Sequence, residues 1–218
     1  MKIKFYGHSA FMIKTDSGTR IITDPYQSGS FGGALCYDKI TDETDIVLSS
    51  HSHNDHNYTE DIKGDFIKID KPGSYVFSDL KIRAIPTFHD LSKGSERGGN
   101  LVFVLDADGL TIVHAGDLGH MLEKETVQEI GKADILLIPV GGFYTIDAAQ
   151  ATRVMTNLEP AITIPMHYKT DKCNFPIAGV EEFVRNKKNV KITKTREIEI
   201  NINSLPEKPE ILVLEHAL

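Results

Sequence analysis

The stretch Ser50-His51-Ser52-His53-Asn54-Asp55-His56-Asn57 places three imidazoles and a carboxylate within six positions. It directly follows the apolar run Asp45-Ile46-Val47-Leu48, which has the pattern of a buried strand. Imidazoles packed this densely repel one another once protonated and are costly to desolvate unless a cation holds them. The stretch therefore predicts a metal site at the end of a strand. The alternative, a solvated polar turn, is disfavoured by three histidines and an aspartate at this spacing.

Four further apolar, β-rich runs each end in a side chain that can bind a metal. These endings are Asp24 after residues 20–23, His89 after 80–88, Asp117 after 110–116 and His167 after 161–166. One such residue is more often a turn former or a capping group than a ligand. Rigid strands can position reactive groups in the loops that follow them, so the agreement of five endings predicts one preorganised site at a sheet edge.

The chain resembles the metallo-β-lactamase superfamily of metal-dependent hydrolases. The resemblance rests on the motif His-x-His-x-Asp-His, with an earlier Asp before it and a later His, a Gly-Asp and a final His after it. The resemblance covers nearly the whole chain. Within the superfamily, the chain is similar to the branch typified by ascorbate-6-phosphate lactonase. The segments that carry this narrower resemblance are Gly7-His8-Ser9-Ala10-Phe11, Phe88-His89-Asp90, residues 114–120, residues 139–147 and Ile164-Pro165-Met166-His167-Tyr168.

The resemblance implies an α/β fold, a four-layer αββα sandwich in which two mixed β-sheets pack face to face with helices outside. Alternating strand and helix patterns in both halves of the chain agree with it. Periodicity predicts helices over 121–130, over 146–158 with Thr145 as its cap, and over 180–187. Residues 101–113 predict a hairpin, and 190–200 a single carboxy-terminal strand. Gly29, Gly32 and Gly33 predict a flexible flap over the site.

Carried over to this chain, the resemblance implies two adjacent divalent ions. The ligands that it implies for the first ion are His51, His53 and His89, those for the second are Asp55, His56 and His167, and Asp117 would bridge both. Asp24 matches the superfamily's early aspartate, which supports the histidine loop. Neutral imidazoles and carboxylates suit zinc, manganese, iron or nickel. No cysteine falls at a ligand position, and zinc is the default.

The expected reaction is attack by a metal-bridging hydroxide, since paired metals ionise water near neutral pH. Asp55 is the candidate for steering that nucleophile or returning a proton to the leaving group. His8 and His120 are further catalytic candidates, because both could donate a proton or a hydrogen bond to a bound anion. Each could equally fix a ligand carboxylate, and these alternatives stay open.

Other residues are candidates for supporting or lining the site. Asp90 either supports the ligands or is a solvated turn residue. Tyr144, Tyr168 and Lys169 are candidates for the wall of the substrate pocket, where Lys169 would neutralise an anion, although an exposed lysine is usually solvated surface. His114 lies within a strand pattern and is interpreted as a buried partner rather than a ligand.

Composition limits the classes of protein to consider. The chain has 218 residues, 40% of them hydrophobic, and no Ser/Gly/Pro-rich linker, so we expect one domain over 1–218. A formal charge of −7 opposes a nucleic-acid surface. The two cysteines, Cys36 and Cys173, indicate a reducing compartment. With no leader and no membrane-spanning run, we expect a soluble, cytoplasmic protein, and a homo-oligomer stays open.

Together these observations predict a dinuclear metal-dependent hydrolase that cleaves a lactone, ester or phosphate-ester bond in a small, anionic metabolite. The lactone comes first only through the resemblance. A di-iron redox protein is disfavoured because such sites usually have a carboxylate where His53 stands. A metal-dependent phosphodiesterase or nuclease is disfavoured by the acidic charge. A non-catalytic metal or ligand sensor of the same fold is disfavoured by the intact ligand set.

Overall fold

Two mixed β-sheets pack against each other in the computed structural model, which describes residues 1–218. The strands of the smaller sheet are β1 (Lys2–Gly7), β2 (Ala10–Lys14), β3 (Arg20–Thr23), β4 (Ile46–Leu48), β5 (Ile67–Ile69) and β13 (Glu197–Glu199). Those of the larger sheet are β6 (Gly73–Val76), β7 (Leu80–Phe88), β8 (Gly99–Ala107), β9 (Leu110–His114), β10 (Ile135–Pro139), β11 (Ile162–Met166), β12 (Val190–Ile192) and β14 (Glu210–Val213). The helices are α1 (Ser30–Gly33), α2 (Lys124–Ile130), α3 (Ala148–Leu158), α4 (Val180–Val184) and a 3₁₀ turn at Ile202–Ser204.

Strand order and direction follow from the residue patterns. The smaller sheet has the order β13-β1-β2-β3-β4-β5, and the larger sheet has the order β12-β14-β11-β10-β9-β8-β7-β6. In the larger sheet, β9, β10, β11, β14 and β12 are parallel, whereas β6 to β9 pair antiparallel. Parallel strands are covered on both faces and need continuous apolar sequence. Every residue of β10 and β11 is buried, in agreement with this requirement.

The main core contains 46 buried residues, which come from both sheets and from the helices that pack on the larger sheet. Helices α2 and α3 pack on β7 and β10 and cover the outer face of the larger sheet. Over the smaller sheet, the outer layer is formed by the loop after β3, whose Tyr26 and Tyr37 belong to a second cluster of 10 buried residues. The predicted sandwich of two mixed sheets is confirmed, with a loop in place of one outer helix layer.

The hairpin predicted in 101–113 is confirmed, with longer strands than expected. β8 and β9 pair antiparallel, with Ala107 opposite Leu110. Asp108 and Gly109 form the turn with φ of 54° and 75°. Positive φ at both central residues is typical of the tight turns whose twist matches that of the strands.

The carboxy-terminal strand predicted over 190–200 is wrong, because the segment divides between the two sheets. β12 pairs with β14 in the larger sheet, while β13 pairs with β1 in the smaller sheet. Between them, the Thr193 hydroxyl accepts a hydrogen bond from the Thr195 backbone N–H at 2.8 Å and turns the chain. Apolar alternation sets which face of a strand is buried but not which sheet it joins, so both halves fit one continuous pattern.

The three predicted helices exist, but their bounds differ. α3 begins after Asp147, not after Thr145, because the Asp147 carboxylate accepts the Gln150 N–H at 2.8 Å and Gln150 Oε1 accepts the Asp147 N–H at 3.0 Å. This reciprocal pair is a capping box. α2 begins at Lys124 and α4 ends at Val184, each shorter than predicted. None of the helices has the length and apolar composition needed to cross a bilayer.

Candidate metal centre

The strands that precede the candidate residues run in one direction within each sheet, so their carboxyl ends meet at one edge. They are β1, β3 and β4 in the smaller sheet and β7, β9 and β11 in the larger one. The residues that follow these ends are His8, Asp24, the loop from 49 to 57, His89, Asp117 and His167. Sequence positions more than a hundred residues apart therefore meet at one place.

Asp117 lies at the centre of this cluster. Its Oδ2 atom is 3.2 Å from His56 Nε2, 3.2 Å from His167 Nε2, 3.4 Å from His89 Nε2 and 4.0 Å from His51 Nε2. The carboxylate is 1% exposed. One buried anion thus faces four imidazoles, an arrangement suited to a carboxylate that is shared between cations.

The potential ligand atoms fall into groups whose members lie within 4.8 Å of one another. One group is His51, His53 and His89, and another is Asp55, His56, His167 and His8. A third joins Asp117 to His51 and His56 and so links the first two. The structure therefore brings together all seven residues that the resemblance assigns to two metals, in the same division, and adds His8.

Many polar atoms of the cluster are buried without a hydrogen-bond partner. They are His8 Nδ1, His51 Nε2, His56 Nε2, His89 Nδ1, His167 Nδ1, Asp55 Oδ1 and Asp117 Oδ1. An orphaned buried polar atom costs on the order of 1–3 kcal/mol, and a concentration of them is not expected in a site that stays without a ligand. Nitrogen and oxygen donors at this density fit divalent transition metals, so the cluster is able to bind metal.

Asp24 orients the histidine loop through hydrogen bonds to Ser50 and His56. Its Oδ1 accepts the backbone N–H of Ser50 at 2.7 Å, and its Oδ2 accepts the Ser50 hydroxyl at 2.7 Å and His56 Nδ1–H at 2.9 Å. The Ser50 hydroxyl in turn accepts His51 Nδ1–H at 3.0 Å. With both Nδ1 atoms donating, the Nε2 lone pairs of His51 and His56 point into the cluster, as ligand nitrogens must.

Burial and neighbouring charge shift the titration of these groups in opposite directions. Burial alone would lower the pKa of His56, but the carboxylates of Asp117, Asp55 and Asp24 outweigh it and raise that pKa well above its ordinary value. For His51, burial and the nearby His56 lower the pKa to about 3. Burial would raise the pKa of Asp117, yet His167 and His56 hold it well below its usual range. In the metal-free cluster, the neighbouring carboxylates thus favour the protonated form of His56, and the imidazoles favour the ionised form of Asp117.

His8 lies beside Asp55 rather than facing solvent. Its Nε2–H donates to Asp55 Oδ2 at 3.2 Å, and its ring packs on that of His167 with 4.2 Å between centroids. The backbone of His8 has a φ of 54°, an uncommon conformation that turns the ring inward after β1. Burial and the neighbouring His167 lower the pKa of His8 to about 4. This placement suits a hydrogen-bond donor that fixes Asp55.

A cavity of about 240 Å³ opens onto the cluster. Its lining comprises Phe31, His53, Asp55, His89, Arg97, Asp117, Tyr144, His167 and Phe175. Tyr144 is thus where the sequence interpretation put it, whereas Phe31, Arg97 and Phe175 were missed. Arg97 follows a Ser/Gly-rich stretch typical of a solvated loop, so no local signal marked it.

Three predicted site residues lie elsewhere. Tyr168 is buried against Phe5, with ring centroids 6.5 Å apart, and its hydroxyl donates to the Leu214 carbonyl at 3.5 Å. Lys169 is exposed and outside the lining of the cavity. His120 accepts the Phe88 N–H on Nε2 at 3.1 Å and donates from Nδ1 to the Met121 carbonyl at 2.8 Å. Because both its nitrogens bond backbone, His120 holds the end of β7 and is not placed to transfer a proton.

Asp90 has neither of the roles considered for it. Its carboxylate is 3% exposed and accepts backbone N–H groups from Ser92, Gly94, Glu96 and Arg97 at 2.7–3.1 Å. Burial would raise its pKa, but these donors outweigh burial and lower it to about 2. Asp90 therefore organises the loop that connects His89 to Arg97.

Two buried polar residues join the strands behind the cluster. His114 donates from Nε2 to the Ser9 carbonyl at 2.9 Å and accepts the Gly116 N–H on Nδ1 at 3.1 Å, so it links the two sheets. Asn100, which the sequence interpretation missed, accepts the Asp117 N–H at 2.9 Å and donates to the Ala115 carbonyl at 3.0 Å. At Gly116, with a φ of 56°, an added Cβ would lie 2.3 Å from Asn100 Oδ1.

Comparison with known proteins gives concordant matches. A family model described as "Beta-lactamase superfamily domain" matches residues 2–167. A UPF0173 metal-dependent hydrolase of Thermococcus onnurineus is 32% identical, with 91% of this chain and 98% of the relative covered. One of Carboxydothermus hydrogenoformans is 31% identical, with 78% and 85% covered. A solved structure from Thermotoga maritima, described as a candidate Zn-dependent hydrolase of the metallo-β-lactamase superfamily, is 34% identical over 98% of each chain, with a TM-score of 0.82.

Proposed function

The chain belongs to the β-lactamase superfamily and is a metal-dependent hydrolase, and from that premise we propose that it uses two divalent ions, zinc by default, to cleave a lactone, ester or phosphate-ester bond in a small, anionic metabolite. The superfamily predicted from the residues is confirmed. The narrower lactonase-like branch stays a prediction, and lactones keep their first place in the proposal through it alone.

One observation carries the proposal for two ions. The ligand atoms form two groups, each within 4.8 Å, and Asp117 lies between them. A single ion with four to six ligands could not bind all seven of these residues. His51, His53 and His89 would hold one ion, Asp55, His56 and His167 the other, and the Asp117 carboxylate would be shared.

Bound ions of this kind supply Lewis acidity, which ionises water near neutral pH and polarises a carbonyl or phosphoryl oxygen. The residues of the chain contribute position and proton transfer. Asp55 is 7% exposed and lines the cavity, and His8 holds one of its oxygens. The other oxygen, Oδ1, has no partner, so it is free to bind an ion, or to take a proton from the attacking water and pass it to a leaving group. His8 acts by fixing the Asp55 carboxylate.

The size of the cavity supports a small substrate. Its volume of about 240 Å³ lies below the range of about 300–1,000 Å³ that is usual for drug-sized ligands. The walls combine aromatic rings with a single guanidinium. A metabolite-sized molecule fits this space better than a polymer does.

The test combines metal analysis with a hydrolysis panel. Purified protein is reconstituted with zinc or manganese, its metal content is measured, and lactones, esters, thioesters and phosphodiesters are offered with an EDTA-treated control. We expect two ions per chain and metal-dependent turnover of one class of small substrate. Turnover confined to phosphodiesters, or a ligand that raises the melting temperature without product release, would instead support a phosphodiesterase or a sensor. One ion per chain in the active protein would contradict the dinuclear proposal.

A further inference from the structure

We propose that Arg97 is the anchor for the anionic group of the substrate, and that this group is attached to a planar, apolar part that lies against Phe31, Tyr144 and Phe175. The inference rests on the proposed hydrolase function and names the substrate class of the same cavity. It replaces Lys169, the cation expected from the sequence, with a residue that lines the site.

Arg97 is the only lysine or arginine in the lining of the cavity. Its side chain is half-buried, and its Cζ lies 5.8 Å from the centroid of the Tyr144 ring. Unlike Arg20, which pairs with Asp45 at 2.9 Å, the Arg97 guanidinium enters no ion pair with a carboxylate of this chain. A half-buried guanidinium held on an aromatic face, with its fork of donors unpaired, is suited to a carboxylate or phosphate.

The loop geometry ties Arg97 to the metal centre. Asp90 Oδ2 accepts the Arg97 N–H at 2.8 Å, and the His89 N–H donates to the Gly98 carbonyl at 3.1 Å. The segment from His89 to Gly98 therefore closes on itself around the buried Asp90 carboxylate. Because His89 and Arg97 stand at the two ends of this closed loop, the backbone fixes where these two side chains leave the chain relative to each other. Asp90 is thus a positioning residue for Arg97.

Three aromatic rings form the apolar part of the cavity wall, beside Arg97. Phe31 meets Phe175 edge to face with centroids 5.3 Å apart, and Tyr144 meets Phe175 with centroids 5.8 Å apart. Phe31 is 54% exposed and has a φ of 53°. Neither solvent exposure nor a positive φ is favourable for a large apolar residue. A bulky residue held in such a conformation at a cavity mouth indicates a functional contact. A planar apolar group would bury the exposed ring.

The charge of the cavity explains why binding of an anionic group to Arg97 requires metal. Asp55 and Asp117 line the same cavity and would repel an anion from the metal-free site. Two divalent ions bring more positive charge than these carboxylates bring negative charge. The cavity with metal bound would then have a cationic centre and, separate from it, the Arg97 guanidinium, which favours a substrate with an anionic group away from the bond that breaks.

The experiment measures binding and turnover with matched probes. Calorimetry with zinc-reconstituted protein compares 4-hydroxybenzoate with the neutral 4-hydroxybenzamide, and kinetics compare the corresponding acetate esters. We expect wild type to prefer the anionic probe. Arg97→Gln should weaken binding of 4-hydroxybenzoate and raise KM for its ester by about 10- to 100-fold, without the same loss of kcat. Arg97→Lys should restore only part of the affinity, because it keeps the charge but not the fork.

The controls separate this inference from the proposed function. Arg153→Gln removes an exposed arginine on α3, and Lys169→Gln removes the cation first expected from the sequence; both should bind as wild type does. Zinc content of Arg97→Gln should be unchanged. Equal affinity for the two probes in wild type, or equal loss for both in Arg97→Gln, would overturn the assignment. Selective binding without hydrolysis would leave Arg97 assigned and count against ester cleavage only.

Discussion

Asp117 is the residue on which the geometry of the centre depends. Its Oδ2 atom faces four imidazole nitrogens, and its backbone N–H is held by Asn100. No other carboxylate at this edge contacts members of both ligand groups in this way. Loss of its side chain would leave the imidazoles without a common anionic partner.

Asp117→Ala should therefore lower metal content toward one ion or none per chain and reduce hydrolysis by more than about 100-fold, beyond the loss typical of residues that merely support ligands. Metal analysis and turnover of the same preparation measure this. Asp38→Ala, which removes an exposed carboxylate, is the control and should behave as wild type. Full activity with both metals retained in Asp117→Ala would refute the shared role.

His56 gives the centre a pH dependence. Its pKa is raised in the folded, metal-free protein, so its proton stabilises the fold below the ordinary value near 6.5, and this stabilisation is lost as pH rises through the raised pKa. A metal must displace that proton. Zinc binding at pH 7 should release at least one proton per chain, that of His56, with a further one if a bound water ionises, and affinity should increase with pH. Calorimetry in two buffers of different ionisation enthalpy measures it; the absence of proton release would contradict the shift.

At the residue scale, the sequence predicted those site residues that lie next to a recognisable strand pattern. Every candidate ligand lies in the segment that follows an apolar strand run, and such a run can be recognised without knowing which strand pairs with it. Arg97, Asn100 and Phe31 could not be recognised this way, because their roles come from tertiary approach to segments far along the chain. Lys169 shows the reverse error, since its nearness to His167 in sequence does not bring its side chain into the cavity.

At the level of elements, α3 shows how a cap selects between neighbouring residues. Thr145 and Asp147 both precede the apolar periodicity, but only Asp147 has Gln150 three positions on, which completes the reciprocal pair. Ile146 is buried, and its N–H bonds the Leu118 carbonyl at 2.9 Å, so it belongs to the packed loop before the helix. The sequence contains the capping-box pattern of Asp147 and Gln150, but it does not indicate that Ile146 is buried.

Asp147→Ala should lower the free energy of unfolding by about 1 kcal/mol, the usual cost of losing an N-cap side chain. Urea denaturation monitored by circular dichroism measures this difference. Arg153→Ala, an exposed substitution in the middle of α3, is the control and should change stability by less than about 0.5 kcal/mol. A larger effect of Thr145→Ala than of Asp147→Ala would restore the first interpretation.

The carboxy-terminal segment shows the limit of pattern reading at this scale. Alternating charged and apolar residues predict a strand with one wet face, and both β12 and β13 have that character. Cross-strand pairing then divides them: Lys191 pairs with Glu210 at 2.7 Å in the larger sheet, and Lys2 lies 3.8 Å from Glu197 in the smaller one. Each pair includes an exposed lysine and contributes little energy, so the sequence does not show which sheet each strand joins.

For the whole molecule, the centre joins the two sheets at their common edge. Candidate metal ligands come from loops of both, and hydrogen bonds such as that from His114 to the Ser9 carbonyl link the sheets there. Zinc present at about 1,000 times its Kd would stabilise the native state by about 4.1 kcal/mol if it binds only that state. EDTA should lower the melting temperature correspondingly, as calorimetry would show. Asp117→Ala is the control and should respond far less to EDTA; an equal response in both would place the metal elsewhere.

The spacing of the ligands along the chain constrains when metal can be acquired during biosynthesis. A nascent polypeptide exposes the histidines of residues 51–56 early, but Asp117 and His167 leave the ribosome much later. β11, which places His167, pairs with strands on both sides, so it settles only near the end of synthesis. Tight binding of a metal ion would therefore be a late event, and a stalled translation product would bind it weakly, through an incomplete set of ligands.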